Sequence, residues 1–160
     1  MGHFAMEMAS ILPKKLRMFI LAKNGVIIGN NSEITRRFYI DNPRGLRIGN
    51  NVFVNYGVHF HCGAQMDATI SLEDNVYIGP DVRLCIPSHE IGLKSKRAGK
   101  NTYKSIIIKK GAWIGACSLV LGGVTVGEGS VIAAGAVVVD DIPDNQLWGG
   151  VPARYIKTLE

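Results

Sequence analysis

The feature that most constrains this chain is a six-residue period in its apolar side chains. Counting in sixes from Ile48 reaches Val54, Phe60, Met66, Leu72, Ile78 and Leu84, and the same phase resumes at Ile108, Ile114, Val120, Val126, Ile132 and Val138. In a chain that is 47% hydrophobic, such a run in one of six phases would arise by chance roughly once in several thousand sequences. Ile28, Ile34 and Ile40 form a shorter preamble, thrown out of phase by a bulge near Asn42, Pro43 and Arg44. Two residues before these positions stands a second small or apolar residue: Val52, Val58, Ala64, Ile70, Val76, Val82, Ala112, Ser118, Val124, Ser130 and Ala136. Same-face residues two apart make a short strand. Three residues after them come Asn51, Gly57, Gly63, Thr69, Asn75, Asp81, Gly111, Cys117, Gly123, Gly129, Gly135 and Asp141. Ten of these twelve are Gly, Asn or Asp, which tolerate positive φ, so a corner is expected every six residues.

Strand and corner repeated without helices make an all-β parallel solenoid. One unit cannot bury its face alone, so coils stack about 4.8 Å apart. With three sides per coil, the apolar positions fill about five coils. The solenoid domain spans 25–145 and is interrupted by a loop at 89–105. An N-terminal segment, 1–24, and a C-terminal segment, 146–160, flank it. MGHFAMEMAS reads as an unstructured start. SILPKKLRMFILAKN, residues 9–23, sets Leu12, Leu16, Phe19 and Ile20 against Lys14, Lys15, Arg17 and Lys23. That pattern predicts an amphipathic helix capping the solenoid, with a weak membrane-surface contact as the sharper alternative. VPARYIKTLE, with Pro152 at a first helical position, predicts a short terminal helix.

No apolar run approaches the ~18 residues that span a bilayer, and no secretory leader opens the chain. Cys62, Cys85 and Cys117 contain no CxxC pair, which fits neither a disulfide framework nor a zinc knuckle and points to a reducing, cytoplasmic location. The net charge of +5 suits an anionic ligand bearing a few phosphates. It does not suit nucleic acid, because the basic residues form no long stripe.

The period fails once. The step after Leu84 falls on Glu90, and 90–105 leaves the solenoid until Ile106 restores it. A long loop in a compact repeat is usually either functional or disordered. His89 stands at the root of this one, outward-facing, and imidazole is the natural proton acceptor at neutral pH. A surface histidine is the plain alternative; the position at the mouth of the only large excursion favours catalysis. Positions 54 and 90 lie 36 apart, which reads as two coils of eighteen, about 10 Å. Asn55 and His89 of one chain would then not touch, and either substrate or a neighbouring subunit fills the gap.

The units IGNNVF, IGPDVR, IGACSL and VGEGSV resemble the hexapeptide repeat of the left-handed parallel β-helix acyltransferases, over roughly residues 25–157. CIPSHEIGLKSKRAGK followed by IIIKKGAWIGACSLVLGGVTVG looks especially like the maltose, galactoside and exopolysaccharide O-acetyltransferases. The resemblance implies left-handed coils, a homotrimer with sites between subunits, acetyl-CoA as co-substrate and a carbohydrate acceptor such as a polysaccharide precursor. It implies His89 as general base and Asn55 as the cleft asparagine. It matches Ala116 and Ala134 to residues whose backbone amides hold pantetheine, Trp113 to an aromatic of the site, and Arg154 and Lys157 to the pair near the adenosine phosphates. Where many members have Thr-Lys, this chain has Val139 and Asp140, which puts one phosphate contact in doubt. His59 and His61, outward on one strand, and Arg97 in the loop would line the acceptor pocket. Alternatives on the same scaffold are amino-sugar N-acetylation, a non-catalytic scaffold and a γ-carbonic-anhydrase-like hydratase. The hydratases carry two histidines five apart, and no HxxxxH occurs here.

Overall fold

The computed structural model describes residues 8–65 and 67–160. Its strands are short and stack into three parallel faces. Face A is built from Ile27–Ile28, Leu46–Ile48, Ile70–Leu72, Ile106–Ile108 and Thr125–Val126. Face B runs through Glu33–Ile34, Phe53–Val54, Tyr77–Ile78, Trp113–Ile114, Val131–Ile132 and Gln146–Gly149. Face C comprises Tyr39–Ile40, His59–His61, Arg83–Cys85, Leu119–Leu121 and Val137–Val138. The chain visits A, B and C in turn, so each corner is a column of equivalent residues from successive coils.

The sixfold positions form the core. From Ile48 to Val138 every described one is at most 3% exposed; Met66 lies outside the described residues. Burying each Val, Leu or Ile contributes about 1.5–3 kcal/mol. The two inward serines are satisfied: Ser118 Oγ reaches Ala133 O at 3.0 Å, and Ser130 Oγ donates to Pro143 O at 2.6 Å. Each hydroxyl thereby ties one coil to the next. Ten of the twelve expected corner residues have φ between +55° and +99°, the exceptions being Thr69 and Asp141.

The coils are not uniform. Face A pairs Ile28 with Ile48, Ile48 with Leu72, Leu72 with Ile108 and Ile108 with Val126. Only the last step is eighteen residues. A 3-10 turn at Pro43–Gly45 lengthens the first coil by two, and the segment 62–69 lengthens the second by six. An insertion of six preserves the hydrophobic beat, which is why the period runs unbroken through it. Two expectations fail for this reason. Ala64 is exposed, and Cys62 and Ala68 are buried in its place. Phe53 pairs directly with Tyr77, so the excursion leaves the coil immediately after that of Asn55, not the second one on.

The excursion is a two-stranded antiparallel ribbon rather than a loop. Pro87–Ile91 pairs with Ala98–Tyr103, with Pro87 opposite Tyr103 and His89 opposite Asn101. It emerges at the C–A corner, where Tyr103 and Pro87 pack against Gly63.

Both ends depart from expectation. The N-terminal helix spans Lys14–Lys23 and buries Arg17 and Leu21, whereas Leu16 and Phe19 face outward. Arg17 decides the docking face. Its guanidinium donates to Ile34 O at 2.7 Å, Leu12 O at 2.7 Å and Glu33 Oε1 at 3.1 Å, so each nitrogen of the buried charge has a partner. Of the expected unstructured start, residues 1–7 lie outside the described residues, and ahead of the helix Ala9 is fully buried. The C-terminal segment is no helix. Arg154–Thr158 pairs antiparallel with Gln146–Gly149, itself the last parallel strand of face B. Tyr155 meets Trp148 edge-on at 6.4 Å, and the strand covers amides that would otherwise form an open sheet edge. The solenoid therefore continues past 145. Among the described residues, no helix is long and apolar enough to cross a membrane.

Candidate active site

The ribbon fixes His89. Its Nδ1 lies 3.2 Å from Gly99 O on the opposing strand. A carbonyl only accepts, so the neutral ring carries its proton on Nδ1 and presents a lone pair at Nε2. That is the tautomer a general base requires. The backbone of Gly99 orients the imidazole, a role that Glu90, its exposed sequence neighbour, does not take. His89 lines a cleft of about 290 Å³ with Ile86, Ser88, Glu90, Thr102, Lys104 and Gly122. Ser88 and Thr102 carry no signal in the sequence; only the antiparallel register of the ribbon sets them opposite each other.

Asn55 stands elsewhere, at the B–C corner. Its Oδ1 accepts from Tyr56 N–H at 2.9 Å and its Nδ2 donates to Tyr77 Oη at 3.3 Å, leaving one amide hydrogen for another partner. Ala116 and Ala134 occupy the same corner two and three coils on. At the A–B corner, the amides of Asn30, Asn50 and Glu128 each donate to a side-chain oxygen of the next coil, and that of Lys110 donates to Glu73 Oε2 of the preceding one. At the B–C corner Tyr56 uses Asn55 and Pro80 has no N–H. The amides of Ala116 and Ala134 find no acceptor among the described residues. They form a column of unused donors one coil, about 4.8 Å, apart. Alanine is what leaves them open: an Asn or Asp on the neighbouring coil would cap them, as at the other corner.

Trp113, 51% exposed, lies beside that corner on face B. It pairs with Tyr77, which stacks on Phe53 at 5.3 Å. The turn 150–153 closes over the C-terminal end of the column through Val137 N–H to Gly150 O and Ala153 N–H to Val137 O. Arg154 and Lys157 follow it, both exposed. Arg154 Nη1 lies 3.9 Å from Asp140 Oδ2, so the acidic residue at 140 competes for the cation.

Face C separates the two groups. Its width of about six residues puts the B–C column roughly 15 Å or more from the ribbon cleft. His59 and His61 project from this face; Arg97 does not reach it, its guanidinium closing the ribbon tip on Gly92 O at 3.1 Å. The structure thus brings Asn55, Ala116, Ala134 and Trp113 to one edge and His89 to another.

The coil pattern matches the model of the bacterial transferase hexapeptide, six repeats, over residues 105–140. The chain is 33% identical over 132 residues to the galactoside O-acetyltransferase of Escherichia coli, covering 82% of this chain and 63% of that protein. It is 31% identical over 151 residues to the galactoside O-acetyltransferase of Lactococcus lactis, covering 94% and 71%. A hexapeptide-repeat acetyltransferase of Vibrio cholerae, solved in complex with acetyl coenzyme A, superposes with a TM-score of 0.88 at 28% identity over 99% of this chain and 86% of that one. The chain spans less than two thirds of the length of relatives such as the Escherichia coli enzyme. Three stacked faces, a ribbon carrying one histidine and a corner column of open amides thus coincide with these likenesses, and the chain belongs to the hexapeptide-repeat transferase family that includes the galactoside O-acetyltransferases.

Proposed function

We propose that the protein transfers an acetyl group from acetyl-CoA to a hydroxyl of a saccharide, such as a polysaccharide precursor, as a cytoplasmic homotrimer of left-handed coils with sites between subunits. The observation that carries this reading is the imidazole of His89, held by Gly99 with Nε2 open to a cleft. His89 takes the hydroxyl proton as the acceptor oxygen bonds to the thioester carbonyl carbon. The imidazolium then returns that proton to the departing thiolate, leaving an acetyl ester, a free thiol and the starting ring. The remaining hydrogen on Asn55 Nδ2 stabilises the oxyanion that forms between these steps. Because Asn55 and His89 of one chain stand at different corners, the pair acts across a subunit boundary.

The open amides of Ala116 and Ala134 donate to carbonyls of the pantetheine arm, and Trp113 offers an apolar wall. Arg154 and Lys157 face the phosphates at the C-terminal end of the column. His59 and His61 line the acceptor side, whereas Arg97, tied to Gly92 at the ribbon tip, takes no part in it. The galactoside O-acetyltransferase names of two relatives and the acetyl coenzyme A in the Vibrio cholerae complex support this choice of donor and acceptor class. The test is release of free thiol from acetyl-CoA against a panel of sugars, nucleotide sugars and glycans. His89→Ala is expected to lower kcat by about 100-fold or more while acetyl-CoA binding and assembly persist. Near-wild-type turnover in that variant removes His89 from the mechanism.

A further inference from the structure

The outer surface of face C lies between the open-amide column and the ribbon. Its N-terminal half is neither apolar nor plainly solvated. Tyr39, His59 and His61 form a three-ring cluster, with centroids 5.5 Å apart for Tyr39–His59, 5.2 Å for Tyr39–His61 and 5.8 Å for His59–His61. The rings tilt by 36–46° to one another, which makes a shallow cup. Aromatic faces of this kind take the C–H face of a sugar ring. Arg83 pairs in register with His59 on the next coil, is exposed and joins no ion pair among the described residues. Its fork of N–H donors matches a phosphate or carboxylate.

We infer that this wall seats the acceptor, and that the acceptor is an anionic saccharide whose phosphate or carboxylate is held by Arg83 beside the rings of Tyr39, His59 and His61. The inference rests on the acetyl-transfer reading and names its substrate class. Charge around the wall agrees. The ribbon at its edge carries Lys94, Lys96, Arg97, Lys100 and Lys104 against the single acid Glu90. On the wall, burial first, then Arg83 and His61, push the protonation of His59 below its ordinary range, and Asp81 opposes them. An anion placed against Arg83 relieves that repulsion and lets His59 take up its proton more readily. A neutral galactoside would leave the exposed guanidinium to water.

Two measurements test this. Histidine ring resonances are followed by NMR as glucose 1-phosphate, glucuronate or glucose is added to the full-length protein. The charged sugars are expected to shift His59 and His61 signals at concentrations where glucose does not, and Arg83→Gln is expected to abolish the difference. In thiol-release assays, the charged acceptors are expected to exceed glucose in kcat/KM by about ten-fold or more, mainly through KM, with the advantage lost in Arg83→Gln. A stronger response to glucose 1-phosphate identifies a phosphate acceptor, and a stronger response to glucuronate a carboxylate. Equal ring shifts with glucose, or an undiminished preference in Arg83→Gln, overturn the inference while acetyl transfer stands. Selective ring shifts without thiol release from any acceptor leave the anionic-saccharide wall in place and overturn acetyl transfer instead.

Discussion

Replacing Gly115 by alanine separates two reasons for glycine in this fold. Gly115 follows the strand Trp113–Ile114, and a Cβ there would lie 2.6 Å from both Ala134 N and Ile132 O. Those are backbone atoms of the next coil, so no side chain can swing away. Relief needs the coils to part by about half an ångström or more, straining the 2.8 Å hydrogen bond from Gly115 N–H to Ile132 O. Overpacking of this kind costs about 1–3 kcal/mol, and weakening one buried backbone bond adds about 1 kcal/mol. Gly115→Ala should therefore lose about 2–4 kcal/mol. Gly135 is the control. It has φ +72° but nothing within 4 Å of its ideal Cβ, so alanine there meets only left-handed strain of about 1–2 kcal/mol. Cys117, at φ 58° one coil away, shows that the corner accepts a side chain. For a chain of this size each kcal/mol moves Tm by about 2–4 °C. Gly115→Ala should melt about 4–16 °C below wild type and Gly135→Ala about 2–8 °C below, by calorimetry at one fixed protein concentration, since assembly adds its own mass-action term. If Gly115→Ala melts no lower than Gly135→Ala, coil contact is not what demands glycine after the strand.

Other outcomes can be checked directly. The three thiols differ: burial pushes the Cys62 and Cys85 thiols up, Cys62 far more strongly, whereas Cys117 is exposed. A thiol reagent at pH 8 should label Cys117 quickly, Cys85 slowly and Cys62 only on unfolding; rapid labelling of Cys62 would contradict its place in the core. Asp140→Asn should free Arg154 and lower KM for acetyl-CoA by about two- to five-fold, the scale of one exposed ion pair. An unchanged KM would take Arg154 out of phosphate binding. Gly129→Val should impair folding, measured as loss of soluble protein or a lowered Tm, because Gly129 has φ +65° and Asn145 Oδ1 lies 2.5 Å from its ideal Cβ.

Most of the core was legible because burial on one face of a two-residue strand repeats with the corner. The coil lengths were not. The insertion at 62–69 equals one repeat and leaves the phase of Leu72 and Ile78 intact, so a hydrophobic count cannot see it. Arg17 was misread because a buried guanidinium with three backbone and carboxylate partners looks, in sequence, like a solvated cation. Residues 154–158 were misread because pairing with Gln146–Gly149 is a long-range choice that Pro152 does not announce. At the candidate site, His89 stood out because it interrupts a period. The open amides of Ala116 and Ala134 are invisible in sequence, since their meaning lies in the capping side chains that neighbouring coils lack.

The most direct test of a site shared between chains is subunit mixing. His89→Ala and Asn55→Ala proteins, each of low activity alone, are unfolded together and reassembled at equal ratio. If each site takes its imidazole from one protomer and its asparagine from the next, about a quarter of sites in randomly mixed trimers are intact, and activity should return to roughly that share of wild type. Trimers shown to contain both chains, yet no more active than either parent, would contradict the account.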